Sequence, residues 1–279
     1  VTVEAQSARR AYEPYDLLTL VCVSALAYVV AVALHEHAGH AAACLALGGR
    51  IKELGAFYVD CDNAMLSDGE VRLVALAGPA LSLLTGALSL KLLARLPSDA
   101  HIAQYFTWLL ATVALLAATG YLLFSGISGV GDLGATPEGA FYNVEPEWLW
   151  RASITLMGAG LYILVALISL RQLEQRIPGF GAPRIAYVRR MMLIAYASGA
   201  IASILIGLLN PHGLYIVLAS AVASSLGATS ALLWMPQWLS PTRTGDGSGF
   251  GFARDWRWIA VALAVVLLYG TILGPTLRP

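Results

Sequence analysis

Charge is scarce in this chain. Of its 279 residues only 12% are Asp, Glu, Lys or Arg, about half the roughly 25% usual in soluble domains. The basic and acidic residues number 17 each, so the formal net charge is zero and nothing in the balance supports binding to nucleic acid. So low a share of charge reads as an integral membrane protein. Cysteine is also scarce, at three residues. Cys22 and Cys44 fall on one predicted helix, roughly 33 Å apart at 1.5 Å per residue, too far to bridge. Cys61 falls in a loop with no evident partner, so no disulfide framework is expected. The first sixteen residues form a polar segment. The apolar run after them carries ionisable groups, so no cleaved signal peptide is read there.

What the chain has in abundance is apolar sequence, 58% of its residues. A membrane-spanning helix needs about 20 such residues. Seven stretches qualify: residues 17 to about 43, 73–90, 102–124, 152–170, 191–209, 213–235 and 258–273. Asn210, Pro211 and His212 alone separate the fifth from the sixth, as a tight turn outside the bilayer. The fold class expected is an all-α polytopic membrane protein of about seven transmembrane helices.

Lys and Arg sort unevenly between the two sets of loops. With the N-terminus on side one, that side holds twelve of them, against five on side two: Arg50, Lys52, Arg72, Arg151 and Arg278. The positive-inside rule makes side one cytoplasmic, and the basic stretch from Arg171 to Arg190 reads as a topology anchor. The expectation is an integral protein of the bacterial inner (cytoplasmic) membrane with a cytoplasmic N-terminus. The bilayer is then an obligatory partner. Four of the five histidines, His35, His37, His40 and His212, then share side two with Asp132, which ends the long uncharged run of the third helix. Only His101 lies on side one, at a helix start.

His35, Glu36, His37 and His40 occupy six positions directly after eighteen uncharged residues, and Ala41 to Leu47 continues apolar beyond them. Ionisable groups embedded this way are costly and mark function more often than solvated helix ends do. On an ideal helix, at about 100° per residue, His37 and His40 are neighbours while His35 lies well round from His40. His37 and His40 could then ligate a metal, with Glu36 near enough to hold a water. Alternatively, a π-bulge between residues 36 and 39 would absorb one extra residue and bring His35 to His40. Either way, two imidazoles and a carboxylate with an open fourth position match a hydrolytic zinc centre.

Three motifs follow in order along the first half of the chain. They are His35-Glu36-His37-Ala38-Gly39-His40 with its Ala-rich continuation, Ala77-Gly78-Pro79 on the second helix, and Gly131-Asp132 at the end of the third. Between the first two lies the stretch 50–59, where a short β-hairpin is expected. On these residues the segment 17–135 resembles the three-helix core of the site-2 protease family of intramembrane zinc metalloproteases. The family pattern His-Glu-x-Gly-His is altered here. Aligned on Gly39-His40, its first histidine becomes Glu36 and its glutamate becomes His37; aligned on His35-Glu36, its last histidine becomes Gly39. The resemblance implies Zn2+ held by His40, Asp132 and either His35 or His37, with Glu36 as general base. It implies membrane-embedded protein substrates, unwound by strand pairing, with segment 50–59 as the strand. The alternative is an inactive relative, a structural or accessory subunit among partner membrane subunits.

Residues 136–279 form an additional four-helix membrane region, with no assigned role, and its Gly-rich loop 242–253 reads as a flexible linker or partner contact. A serine protease is suggested more weakly by Gly126-Ile127-Ser128-Gly129 with His212 on the same side. Serine in a membrane helix more often bonds backbone. A transporter should have interrupted helix pairs carrying buried charge, and the fourth, sixth and seventh stretches carry none.

Overall fold

The computed structural model describes residues 15–178, 181–214, 226–241 and 250–279. It is mostly helical. Helix α1 runs through Leu17–Ala46, α2 through Asp68–Leu93, α3 through His101–Ser128, α4 through Glu147–Arg176, α5 through Gly181–Gly207 and α7 through Trp256–Leu273. These six are long and apolar enough to cross a membrane. A short helix α6, Ala231–Trp234, continues into a 3-10 turn, Met235–Trp238. The expected span 213–235 includes residues 215–225, which lie outside the described residues.

Helix starts follow from local chemistry. Asp16 caps α1 by accepting from the Thr19 amide at 2.9 Å. Ser67 and Glu70 form a reciprocal capping box on α2, and Asp255 accepts from the Arg257 and Trp258 amides at the head of α7. Each cap satisfies amides that the first helical turn leaves without partners.

The expected hairpin is present as β1, Arg50–Leu54, antiparallel to β2, Val59–Asp62. On its other edge, β1 meets Leu277: the Leu54 amide donates to Leu277 O at 2.9 Å and the Leu277 amide to Leu54 O at 3.0 Å. β1 therefore has backbone partners on both sides, whereas β2 pairs only with β1 among the described residues.

Side chains from both halves of the chain share one core. Tyr28 of α1, Trp108 and Leu116 of α3, Tyr162 of α4, Met191 of α5 and Phe250 are all in the same buried cluster. Buried polar tips are paired: Trp108 Nε1 donates to Ser169 O at 3.0 Å and Tyr28 Oη to Thr229 Oγ1 at 2.8 Å. Tyr28 lies flat against Gly199, where a Cβ would sit 2.3 Å from the ring. In a bilayer such close packing, rather than water expulsion, holds helices together. The outward faces are apolar, as lipid requires: Leu156 on α4 is 75% exposed and Leu267 on α7 is 60% exposed. Trp148 and Trp256 stand exposed near the starts of their helices, where the amphipathic indole favours the membrane–water interface.

Two expectations need correction. Cys61 does have a partner: it forms a disulfide with Cys44, the Cα atoms 6.0 Å apart. Residues 47–49 turn the chain after α1 and the hairpin folds back, returning residue 61 to the helix end. Within the Gly-rich loop, residues 242–249 lie outside the described residues, but Phe250 and Phe252 are buried against Tyr105. That part of the loop is core, not linker.

Candidate metal centre

The centre is built on an irregular turn. Between Leu34 and Ala41 helix α1 becomes a π-helix, and the Ala42 amide still reaches His37 O, five residues back. Closing a turn over five residues widens it by one, so positions five apart come to one face. His35 and His40 thereby meet, their Nε2 atoms 3.2 Å apart.

Asp132 completes the group from the other end of the core. Helix α3 stops at Ser128, and Gly129 and Gly131, at φ 77° and 86°, reverse the chain in a conformation that side chains with a Cβ rarely adopt. The loop is closed by Ala140 N donating to Asp132 O at 2.8 Å. The Asp132 carboxylate then lies 3.1 Å from His35 Nε2 and 3.4 Å from His40 Nε2. These three side chains each offer a ligand atom within 4.8 Å of the others, and the group could hold a metal ion. Electron-pair donors this close repel unless they share a cation or a proton.

Outer contacts aim the two imidazoles. His40 Nδ1–H donates to Val74 O at 2.7 Å. A carbonyl only accepts, so the lone pair is left on Nε2, which faces His35 and Asp132. His35 Nδ1 shares a hydrogen bond with Ser82 Oγ at 2.9 Å. Both partners come from α2, and so does the space for the rings. A Cβ on Gly78 would sit 2.3 Å from His40 Nε2 and 2.8 Å from His35 Nε2. A Cβ on Gly39 would sit 2.7 Å from the Gly78 Cα, so the two helices cross glycine on glycine at the centre. On the α3 side, the Tyr121 ring stacks on His35 with centroids 5.0 Å apart and planes 13° off parallel.

His37 and Glu36 part company from the trio in different ways. His37 points to the hairpin: its Nε2 bonds Gly55 O at 3.0 Å and its ring meets Tyr269 edge-on. The alternative pairing of His37 with His40 is thus not the one formed. Glu36 is 7% exposed and lies outside the ligand trio, yet it lines the same cavity as His40 and Asp132. That cavity measures about 1120 Å³ and is bounded by Val59, Asp60 and Cys61 of β2 and by Tyr121 of α3.

No family model, curated protein or solved structure matches this chain.

The remaining histidines and the candidate serine are engaged elsewhere. His212 Nε2 faces Glu53 at 3.4 Å. Ser128 Oγ donates to Phe124 O at 2.6 Å and accepts from the Val130 amide, so no Ser–His pair forms. His101 opens α3, a 28-residue helix, which places it about 40 Å along the chain axis from the end bearing Asp132. Val74, Ser82 and Tyr121 were not anticipated. The one available signal was Ser82, a hydroxyl four residues after Gly78 on an apolar helix, hence one turn along the same face.

Proposed function

We propose that this chain is an intramembrane zinc metalloprotease of the site-2 protease type, which hydrolyses peptide bonds of membrane-embedded protein segments. The observation that carries the reading is the π-turn. It lets His35-Glu36 and His40, spaced one residue too far for the usual helical zinc motif, supply two facing imidazoles with the glutamate beside them.

The donor set fits zinc. Two nitrogens about 2.0–2.1 Å from a tetrahedral ion would stand about 3.3 Å apart, and the Nε2 atoms of His35 and His40 stand 3.2 Å apart. A carboxylate oxygen 3.1 and 3.4 Å from them suits a third corner, and Gly78 leaves that volume clear of side chain. His35, His40 and Asp132 would hold the ion; when bound, it would supply Lewis acidity, polarising a carbonyl and acidifying a water. Glu36, outside the trio and facing the cavity, acts as general base: its carboxylate takes a proton from the attacking water and returns it to the leaving amine. This placement favours an enzyme over an inactive scaffold, because a glutamate recruited as ligand would have no proton to move.

Substrate would enter the cavity as an extended segment. The edge of β2 away from β1, unpaired among the described residues, lines the cavity and suits strand addition; β1, which opens the expected segment 50–59, meets Leu277 on its other edge. The Cys44–Cys61 disulfide lies on the same side as the motif. Disulfides persist outside the reducing cytosol, which supports the extracytoplasmic assignment of side two and a cytoplasmic N-terminus.

Glu36→Gln tests the reading. The variant keeps one zinc per chain and loses hydrolysis, since an amide takes no proton from water. Hydrolysis that survives the change, or zinc that leaves with it, removes Glu36 from the role of base.

A further inference from the structure

Hydrolysis at this centre needs more than ligands and a base. When water attacks a peptide carbonyl, a C–O bond forms and the carbonyl π pair moves onto oxygen. Glu36 holds the proton taken from the water. The new oxyanion needs a preorganised donor, commonly the largest single contribution to such catalysis. The C–N bond then breaks and the amine leaves with the proton from Glu36.

Most donors lining the cavity are already engaged. Tyr58 donates to Glu53 at 2.7 Å. Tyr162 donates to Ala228 O at 2.7 Å and also meets Ser230. His212 faces Glu53, and His40 is committed through both nitrogens. Asn63 follows β2 and also lines a second, smaller cleft. Tyr121 differs from all of these. Its ring is fixed against His35 and it lines the cavity. Glu36 and Asp132 line the same cavity, and the Tyr121 hydroxyl has no hydrogen-bond partner among the described residues.

We propose that Tyr121 supplies the hydrogen bond that stabilises the oxygen on which negative charge develops when a peptide carbonyl is attacked at the His35–His40–Asp132 centre. The phenol donates without surrendering its proton, so the balance of the reaction is unchanged. The stacked ring serves a second end, since it fixes the donor relative to a ligand histidine and no reorganisation is needed as charge forms. This inference rests on the proposed hydrolysis.

The test compares the full-length chain with Tyr121→Phe and Tyr121→Leu in liposomes. Three quantities are measured: zinc per chain, affinity for a phosphinic peptide whose tetrahedral oxygens imitate the attacked carbonyl, and turnover of a quenched fluorescent peptide with an apolar segment of about 20 residues. Tyr121→Phe keeps the stack and its zinc, loses about 10²–10³-fold in kcat, changes KM by less than about 2-fold and binds the phosphinate more weakly. Tyr121→Leu also loses the stack and weakens zinc. Wild-type turnover and phosphinate affinity in Tyr121→Phe would overturn the role while leaving the protease intact. Loss of zinc in Tyr121→Phe would reduce the residue to structural support and overturn it too. Wild type that holds zinc but neither cleaves the peptide nor binds the phosphinate would overturn both the protease and the role of Tyr121.

Discussion

Gly78→Ala adds one methyl group, and the structure says where it goes. The new Cβ would lie 2.3 Å from His40 Nε2, 2.6 Å from its Cε1 and 2.8 Å from His35 Nε2. Carbon contacts settle at about 3.5–4.0 Å, so the His40 ring must retreat by about 1.2 Å. Ligand distances at a metal tolerate only about ±0.2 Å. The ring has little room to compensate, because its Nδ1 is tied to Val74 O, on the same helix as the new methyl. Zinc affinity should fall by at least about 10²-fold, roughly 2.7 kcal/mol. Overpacking alone costs about 1–3 kcal/mol of fold stability, so a control is needed. Gly86→Ala supplies it: on the same helix, its Cβ would meet the Leu115 side chain at 2.3 Å, well away from the centre. Zinc titration against a competing chelator, alongside thermal melting, separates the two effects. Gly86→Ala should melt earlier yet bind zinc as wild type does; Gly78→Ala should lose zinc whatever its melting temperature. Zinc affinity within about 3-fold of wild type in Gly78→Ala would refute the assignment of the ion to the space beside that glycine.

Two further outcomes follow from the hairpin side of the centre. His37→Ala should retain one zinc per chain and lose its bond to Gly55, at a cost of about 1 kcal/mol, seen as faster amide exchange in residues 55–58; loss of zinc would instead make His37 a ligand. Glu53 accepts from Tyr58 and from Arg278, and these partners hold its carboxyl below the ordinary carboxylate range. A depressed value means that the contribution is present above the unfolded value of about 4.3 and lost as pH falls through the folded one. Exchange of the Leu54 and Leu277 amides should therefore be slow at neutral pH and accelerate in the acid range, and Glu53→Gln should remove that acid step. Identical profiles in the two proteins would exclude Glu53 as its source.

The spans of the described helices were legible because lipid imposes a single rule, long apolar runs, on every crossing segment. His35, Glu36, His40 and Asp132 were legible because ionisable groups stand out against that background. The choice between His35 and His37 was not. It depends on whether one turn of α1 is α or π, and neighbours decide this: Val74 O, Ser82 and the clear space at Gly78 all belong to α2. The disulfide was hidden for a related reason, since Cys61 reaches Cys44 only after β1 and β2 pair. Phe250 and Phe252 were read by the glycines around them rather than by their own apolar rings. Tyr121 was invisible as chemistry because an aromatic residue in a membrane helix is usually packing.

Everything proposed for this chain depends on an ion held between helix α1 and the loop after α3. Metal analysis of the purified full-length chain, repeated on His35→Ala, His40→Ala and Asp132→Ala, tests that dependence directly. One zinc per chain is expected in the wild type, with loss of stoichiometric zinc in each of the three variants. A wild type without metal, or zinc retained when Asp132 or His35 is removed, would contradict that expectation.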